Sequence, residues 1–130
     1  MADVLIDTSV VIDVLRGREA AVSRLHTLRD AGDRPHVCAV NVEETVRGLR
    51  ADEVSHAMEL FTGLRLVGLG NAEGWRAGEW RRDFAAVGTT LTQADCLIAA
   101  AAFSLGGRLA TGNPKHFPME ELDVEDWPPG

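Results

Sequence analysis

Apolar residues occur along this chain in short unbroken runs that alternate with stretches of helical spacing. The first run, residues 4–6, is made of branched apolar side chains and stops abruptly at Asp7, which is typical of a buried strand. The apolar residues that follow recur at helical spacing and predict a helix over residues 10–16: Val10, Val11, Val14 and Leu15. Asp7 is therefore expected at a strand-to-helix junction, where α/β proteins bind their ligands.

The same alternation of strands and helices continues to the end of the chain. Strands are predicted over residues 36–40, 66–69 and 108–111, with a candidate edge strand near 122–124. Helices are predicted over residues 19–31, 42–49, 51–64, 71–87 and 93–105, and the last of these is apolar on nearly every face, as a central helix is. Alternation of this kind predicts an α/β fold with a mainly parallel sheet covered on both faces.

Composition limits the class of protein. With 130 residues, 45% of them hydrophobic, the chain is expected to be one domain over residues 1–130 with a real core. Neither a membrane-spanning run nor a signal-peptide pattern occurs, so we expect a cytoplasmic protein. Cys38 and Cys96 lie far apart without nearby metal-binding partners, which favours buried thiols over a zinc site or a redox pair.

The net charge of −7 at first disfavours a nucleic-acid partner, because nucleic acids attract basic surfaces. Five of the twenty acids, however, lie in the last eleven residues, so the rest of the chain carries only 15 acids against 13 bases. Twelve of the thirteen cations are arginine, whose guanidinium group makes bidentate contacts with phosphate. A genome-wide preference for arginine would give the same count. Charge therefore does not exclude RNA.

Three acids fall at predicted helix entrances. Asp7 precedes the first helix, while Glu44 and Asp95 fall in the predicted first turns of two others. If they converge, their oxygens suit Mg²⁺ or Mn²⁺. Each also has a structural explanation: Asn41 with Glu44 has the spacing of a capping box, Thr92 stands three residues before Asp95, and Asp7 can cap a helix itself. Spacing alone leaves both interpretations open.

Four segments, taken in order, give the chain a resemblance to a known family. They are Leu5-Ile6-Asp7-Thr8-Ser9-Val10-Val11-Ile12-Asp13, Val40-Asn41-Val42-Glu43-Glu44-Thr45-Val46-Arg47-Gly48, Asp95-Cys96-Leu97-Ile98-Ala99-Ala100 and Thr111-Gly112-Asn113-Pro114-Lys115-His116-Phe117. With them the chain resembles PIN-domain ribonucleases of the VapC toxin class over nearly its whole length. The family places its second acid four residues before a glycine, which selects Glu44 over Glu43.

The resemblance implies a three-layer α/β/α sandwich and a metal-dependent endoribonuclease that hydrolyses RNA phosphodiester bonds with a metal-activated water. It implies structured RNA such as tRNA as substrate, a VapB-type antitoxin that covers the pocket, and a homodimer. Asp7 and Asp95 become metal ligands and Glu44 a ligand or water-positioning acid, with polar support from Thr8, Ser9 and Thr111. The fourth position is Asn113 rather than an acid, so we expect it to orient water or a group next to the ligands rather than to supply charge. This argues against a two-metal arrangement but leaves the number of ions open.

Other residues are weaker candidates. Arg81 and Arg82 are the best candidates for a pair that binds the RNA phosphates. The alternative is that both side chains simply lie on a solvent-exposed helix face. Trp75 and Trp80 lie five residues apart, about 140° around a helix, so one is expected in the core and the other exposed. No two histidines stand at i, i+4 spacing, and His116 is expected at the surface or in packing.

Two alternatives to a nuclease remain open from the sequence. A receiver-type phosphoacceptor module is also a small α/β protein with an acidic Mg²⁺ pocket, but Asp7 is followed by Thr8-Ser9 and Lys115 is the only lysine. A catalytically silent RNA- or protein-binding PIN domain would share the fold, although all three acids are present.

Overall fold

The centre of the molecule is a sheet of five strands, all parallel, in the order β3-β2-β1-β4-β5. A computed structural model describes residues 1–129 of the chain. The strands are β1 (Asp3–Ile6), β2 (Arg34–Cys38), β3 (Arg65–Val67), β4 (Arg108–Thr111) and β5 (Asp123–Asp126). This arrangement confirms the mainly parallel sheet that the sequence predicts, and it brings the carboxyl ends of all five strands to one edge.

Six helices and two short 3₁₀ turns connect the strands. The helices are α1 (Thr8–Leu15), α2 (Glu19–Asp30), α3 (Ala39–Arg47), α4 (Val54–Thr62), α5 (Asn71–Ala86) and α6 (Gln93–Ser104). The 3₁₀ turns are Ala51–Glu53 and Pro114–His116.

Side chains alternate along the central strands, so the sheet is buried on both faces. Val4 and Ile6 of β1 pack in one apolar cluster with residues of α1 and α2, whereas Leu5 packs in a second cluster with α5 and α6. The expected three-layer α/β/α sandwich is therefore confirmed. Helix α6 is central, as its sequence predicts, since Ile98 and four consecutive alanines after it are almost fully buried.

Two boundaries differ from the sequence-based prediction. Strand β2 begins at Arg34 and ends at Cys38, two residues earlier than predicted at each end. It tolerates Pro35 because pairing with β3 begins only at His36, so the missing proline N–H leaves no β3 carbonyl without a partner. Helix α3 consequently begins at Ala39, and Asn41 lies inside it.

The segment predicted as one helix over residues 51–64 is a 3₁₀ turn followed by α4. Of its apolar side chains, Ala57 is buried, but Val54 and Met58 are 45% and 67% exposed. Neither of these two belongs to either apolar cluster of the core. They lie instead in a surface groove between α3 and α4.

Two acids of the acidic tail make structural contacts. Glu125 of β5 pairs with Arg108 at the start of β4, and Arg108 also binds Asp33 at 2.8 Å. Glu121 accepts a hydrogen bond of 2.7 Å from Nε1 of the buried Trp80. Both cysteines are buried free thiols, as predicted. Across the described part of the chain, no helix combines the length and apolar character needed to span a bilayer.

Candidate functional site

The carboxyl edge of the sheet brings together side chains from four distant parts of the chain. Asp7 follows β1 directly, and Thr111 is the last residue of β4, the strand that pairs with β1. Asp95 lies in the first turn of α6, and Asn41 lies near the start of α3 after β2. The sequence could place each residue at an element boundary, and the strand order makes them neighbours.

Asp7 is held from one side by two hydroxyl groups. Its side chain is buried, with the residue 6% exposed, and its Oδ2 accepts hydrogen bonds from Thr111 Oγ1 at 2.7 Å and Ser9 Oγ at 3.0 Å. Each hydroxyl in turn accepts a backbone N–H, from Asn113 at 2.9 Å and from Gly112 at 3.0 Å. Because those N–H groups occupy the hydroxyl oxygens as acceptors, both hydroxyl hydrogens are free to point at Asp7. Ser9 and Thr111 therefore both contact the Asp7 carboxylate, while their role in supporting a metal ligand stays a prediction.

Asp95 lies close enough to Asp7 for the two charges to interact. Burial raises the pKa of the Asp95 carboxyl, and the negative charge of Asp7 raises it further, while hydrogen bonding with Thr92 and the nearby His116 oppose the rise in pKa. The Asp95 backbone N–H donates to Thr92 Oγ1 at 3.1 Å, so the predicted cap is present. The imidazole Nδ1 of His116 lies 3.6 Å from Asp95 Oδ2. The cap explains the backbone at Asp95 but leaves the role of its carboxylate open.

Glu44 does not form the capping box that its spacing predicts, and that prediction is wrong. Helix α3 begins at Ala39, which puts Glu44 in its second turn rather than its first. The cap is made by Asn41, whose Oδ1 accepts the backbone N–H of Cys38 at 2.8 Å. Glu44 Oε1 instead accepts a hydrogen bond of 2.7 Å from Thr8 Oγ1. Its carboxylate is thereby tied to the residue next to Asp7.

The other predicted residues form no hydrogen bond or ion pair with Asp7 or Asp95 among the described residues. Asn113 is exposed and contributes its backbone N–H to Thr111, so its expected role in orienting water stays a prediction. Arg81 Nε donates to the carbonyl of Leu91 at 3.3 Å, and Arg82 pairs with Asp83 at 3.0 Å, so the two guanidinium groups contact different neighbours.

The tryptophan prediction is confirmed. Trp75 is 69% exposed, whereas Trp80 is only 6% exposed and packs at the edge of the Phe103 ring.

The donor set of the site fits a hard divalent cation. Within residues 1–129, no three acid, histidine or cysteine side chains are grouped so as to hold an ion by themselves. Asp7 and Asp95 nevertheless offer two interacting carboxylates, and no arginine or lysine of the described chain forms an ion pair with either. Mg²⁺ is commonly bound by one or two carboxylates, with water and substrate phosphate completing its shell. Asp7 and Asp95 fit that mode of binding.

Two residues at the site are not predicted to belong there by the sequence. The spacing of Asn41 indicates only a cap, yet it is fully buried and its Nδ2 donates to Thr8 Oγ1 at 3.0 Å. His116 is expected at the surface and its side chain is 58% exposed, but it borders Asp95. The strand order would have revealed Asn41, because β2 pairs with β1 and their carboxyl ends are adjacent.

The sequence matches one protein family and two ribonucleases over most of its length. The PIN domain family profile matches residues 4–121. The chain is 32% identical to ribonuclease VapC10 of Mycobacterium tuberculosis over 118 residues, 91% of this chain and 88% of the relative. It is also 32% identical to ribonuclease VapC19 of the same organism over 116 residues, 88% of this chain and 92% of that relative.

Solved structures share the fold at lower sequence identity. The VapBC2 complex of Rickettsia felis bound to a promoter DNA fragment matches with a TM-score of 0.85 and 18% identity, covering 96% of this chain and 98% of that one. The DNA-bound VapBC complex of Salmonella typhimurium matches with a TM-score of 0.84 and 20% identity, covering 98% and 99%.

Proposed function

The chain belongs to the PIN domain family, and from that premise we propose that it is a metal-dependent endoribonuclease, the toxin of a type II toxin–antitoxin pair. The observation that carries the proposal is that Asp7 and Asp95 lie close enough to interact at the carboxyl edge of the sheet, where no arginine or lysine within residues 1–129 forms an ion pair with either acid. The curated relatives are named as ribonucleases. Family membership decides against the receiver-type alternative, while a silent binding domain is the alternative that an RNA cleavage assay tests.

The residues of the site divide the work of phosphodiester hydrolysis among them. Asp7 and Asp95 would hold Mg²⁺ or Mn²⁺, which when bound supplies a water of lowered pKa and stabilises charge on the phosphate. Ser9 and Thr111 keep the Asp7 carboxylate in one orientation through their hydrogen bonds to Oδ2. Glu44, whose carboxylate accepts a hydrogen bond from Thr8, would accept a second one from the attacking water.

We propose RNA as the substrate, with structured RNA such as tRNA as the first candidate, in the cytoplasm. A groove of about 310 Å³ is lined in part by Ser9, whose hydroxyl contacts Asp7, and we propose that it takes a single RNA strand. Arg18 lines this groove and is half-exposed, although it pairs with Asp13 at 3.2 Å. A guanidinium at this place would contact a phosphate next to the one that is cut.

A co-encoded antitoxin of the VapB type is the proposed protein partner. Structural neighbours were solved as VapBC complexes. In this chain an apolar groove of about 690 Å³ lies between α3 and α4, and exposed apolar patches of this kind mark interaction sites. The groove is lined by Val42, Val46, Leu49, Arg50, Ala51, Val54, Ala57, Met58, Phe61 and Thr62.

The antitoxin proposal is tested by a charge placed in the groove. Met58→Asp should weaken binding of the co-expressed antitoxin by at least about 10-fold, because it puts a carboxylate in the apolar contact. Val87→Asp is the matched control, since Val87 is also exposed and does not line the groove. Equal binding of both variants would remove the groove from the partner surface. The molar mass in solution, measured by light scattering, tests the proposed homodimer.

The nuclease proposal is tested with purified protein and labelled RNA in Mg²⁺. We expect cleavage that chelation stops and that Asp7→Asn lowers by more than about 100-fold, while Asp30→Asn keeps activity. Asp30 is the matched control because it is an exposed acid at the end of α2 and does not line the proposed RNA groove. Cleavage that persists in chelator, or full activity of Asp7→Asn, would refute the metal site. Absence of cleavage by the wild-type chain on any RNA tested, with RNA binding retained, would favour the silent domain.

A further inference from the structure

We infer that Asn41 is a positioning residue, which sets the direction of the Thr8 hydroxyl and through it the orientation of the Glu44 carboxylate. The inference rests on the proposed function, because Glu44 acts there on the attacking water. Asn41 is fully buried, and its side-chain hydrogen bonds in the described chain go to Cys38 and Thr8 rather than to an acid. Its contacts are the backbone of Cys38 on one side and the side chain of Thr8 on the other.

The orientation of the Asn41 amide is fixed by a group that can only donate. The backbone N–H of Cys38 lies 2.8 Å from one end of the amide, and that end must be the oxygen, because an N–H cannot accept a hydrogen bond. The NH₂ end therefore faces Thr8, with Nδ2 and Oγ1 3.0 Å apart. The amide of Asn41 is planar, so its oxygen and its NH₂ group point in opposite directions. The contact of the oxygen with Cys38 therefore fixes the direction in which the NH₂ group faces Thr8.

The direction then passes along the chain of hydrogen bonds. Because Thr8 Oγ1 accepts from Asn41, the Thr8 hydrogen is free to turn toward Glu44 Oε1, which lies 2.7 Å away. An ionised carboxylate can only accept, so the order of donation is amide to hydroxyl to carboxylate. Without Asn41, the hydroxyl could rotate toward other acceptors and Glu44 would lose its fixed donor.

The same contacts join two helices that carry separate parts of the site. Thr8 begins α1 immediately after Asp7, whereas Asn41 and Glu44 lie three residues apart on α3. The bonds from Asn41 and Glu44 to the single Thr8 hydroxyl therefore hold the α3 acid at a set distance from the β1 acid. A residue that only capped α3 would satisfy Cys38 and leave this distance unconstrained.

The test compares Thr8→Val, Asn41→Ala and the double variant with the wild type, and it uses Thr8→Ser as the conservative variant. We expect each single change to lower kcat for RNA cleavage by about 10 to 100-fold with KM unchanged, which is the usual range for residues that orient a metal site. The kcat of the double variant should be no lower than that of the less active single variant, because both substitutions remove the same constraint on the Glu44 carboxylate. Thr8→Ser keeps the hydroxyl and should retain wild-type kcat.

A second measurement does not depend on activity. Glu44 would hydrogen-bond a water of the metal's shell, so its orientation should also affect metal binding. Calorimetric titration with Mn²⁺, on each protein without RNA, should show an affinity lowered about 10-fold or more in Thr8→Val and Asn41→Ala, and unchanged in Thr8→Ser. Wild-type Mn²⁺ affinity in Thr8→Val, or losses in kcat that multiply in the double variant, would overturn the inference. If Asn41→Ala does not fold, as judged by urea unfolding, Thr8→Val and Thr8→Ser decide the question.

The outcomes separate this inference from the proposed function. A wild-type chain that binds Mn²⁺ but cuts no RNA would refute the nuclease, while weakened Mn²⁺ binding in the variants would still support the positioning role. Conversely, an active nuclease whose Thr8→Val variant binds Mn²⁺ and cleaves as the wild type does would refute the positioning role alone.

Discussion

The hydroxyl of Thr111 offers a sharp test of how the site is built, through the substitution Thr111→Val. Threonine and valine have nearly the same shape, so the change removes a hydroxyl and little else. Thr111 is fully buried, and its hydroxyl donates to Asp7 Oδ2 at 2.7 Å while accepting the N–H of Asn113 at 2.9 Å. Valine leaves both partners without this contact.

The expected cost follows from the groups left unpaired. Losing a hydrogen bond to the Asp7 carboxylate costs about 1.5 to 3 kcal/mol, and leaving the part-buried N–H of Asn113 unsatisfied costs about 1 kcal/mol more. The extra buried methyl group of valine offsets about 0.8 kcal/mol. We therefore expect Thr111→Val to lower the free energy of unfolding by about 2 to 3 kcal/mol.

Urea unfolding at pH 7 in chelator measures this difference without interference from bound metal. RNA cleavage should fall as well, by about 10 to 100-fold, because Asp7 loses one of its two hydroxyl donors. Thr111→Ser is the control: it keeps the hydroxyl, loses one methyl group and should retain activity. A Thr111→Val protein that is fully active and within about 0.5 kcal/mol of the wild type would show that the Thr111 hydroxyl does not hold Asp7 in place.

Three further predictions concern other contacts. Asp95→Asn should abolish cleavage and raise the free energy of unfolding at pH 7 in chelator. Burial and the charge of Asp7 raise the Asp95 pKa, so the ionised carboxylate costs stability once the pH exceeds its unfolded pKa. A variant less stable than the wild type would contradict this. Trp80→Phe should cost about 1 to 2 kcal/mol in urea unfolding, through loss of the hydrogen bond to Glu121, and leave cleavage unchanged. The Ala2 N–H and Arg108 lower the Asp33 pKa, so stability should fall as the pH drops below about 4. The fall should be less steep in Arg108→Met. An acid transition as steep in this variant as in the wild type, followed by circular dichroism, would contradict this.

The sequence predicted the parallel sheet and the central helix because buried strands and an all-apolar helix leave strong periodic signals. The apolar runs Val4 to Ile6 and the alanines of α6 can be recognised from the local sequence alone, without knowing which elements they contact. Asp7 could be placed because a charge directly after such a strand must lie at its end. Strand order has no local signal, so the pairing of β1 with both β2 and β4 appeared only in the structure.

Asn41 and Glu44 show where local patterns mislead. Asparagine is favoured at the residue before a helix, and an acid three residues later completes a familiar cap. In this protein the helix begins two residues before Asn41, whose side chain reaches back to Cys38 to make the cap. The pattern therefore predicts the wrong register, and Glu44 is free for the contact with Thr8. That contact joins residues 36 positions apart, which periodicity cannot reveal.

The two hydroxyl groups on Asp7 bear on which ion the site would select. Thr111 and Ser9 both donate to Oδ2, so only Oδ1 of this carboxylate remains for an ion. In the proposed metal site, a carboxylate restricted in this way would act as a monodentate ligand. Ca²⁺ readily takes carboxylates in bidentate fashion and accepts six to eight oxygens, whereas the smaller Mg²⁺ prefers single oxygens in a strict octahedron. Discrimination against calcium would then originate in two neutral side chains that never touch the ion.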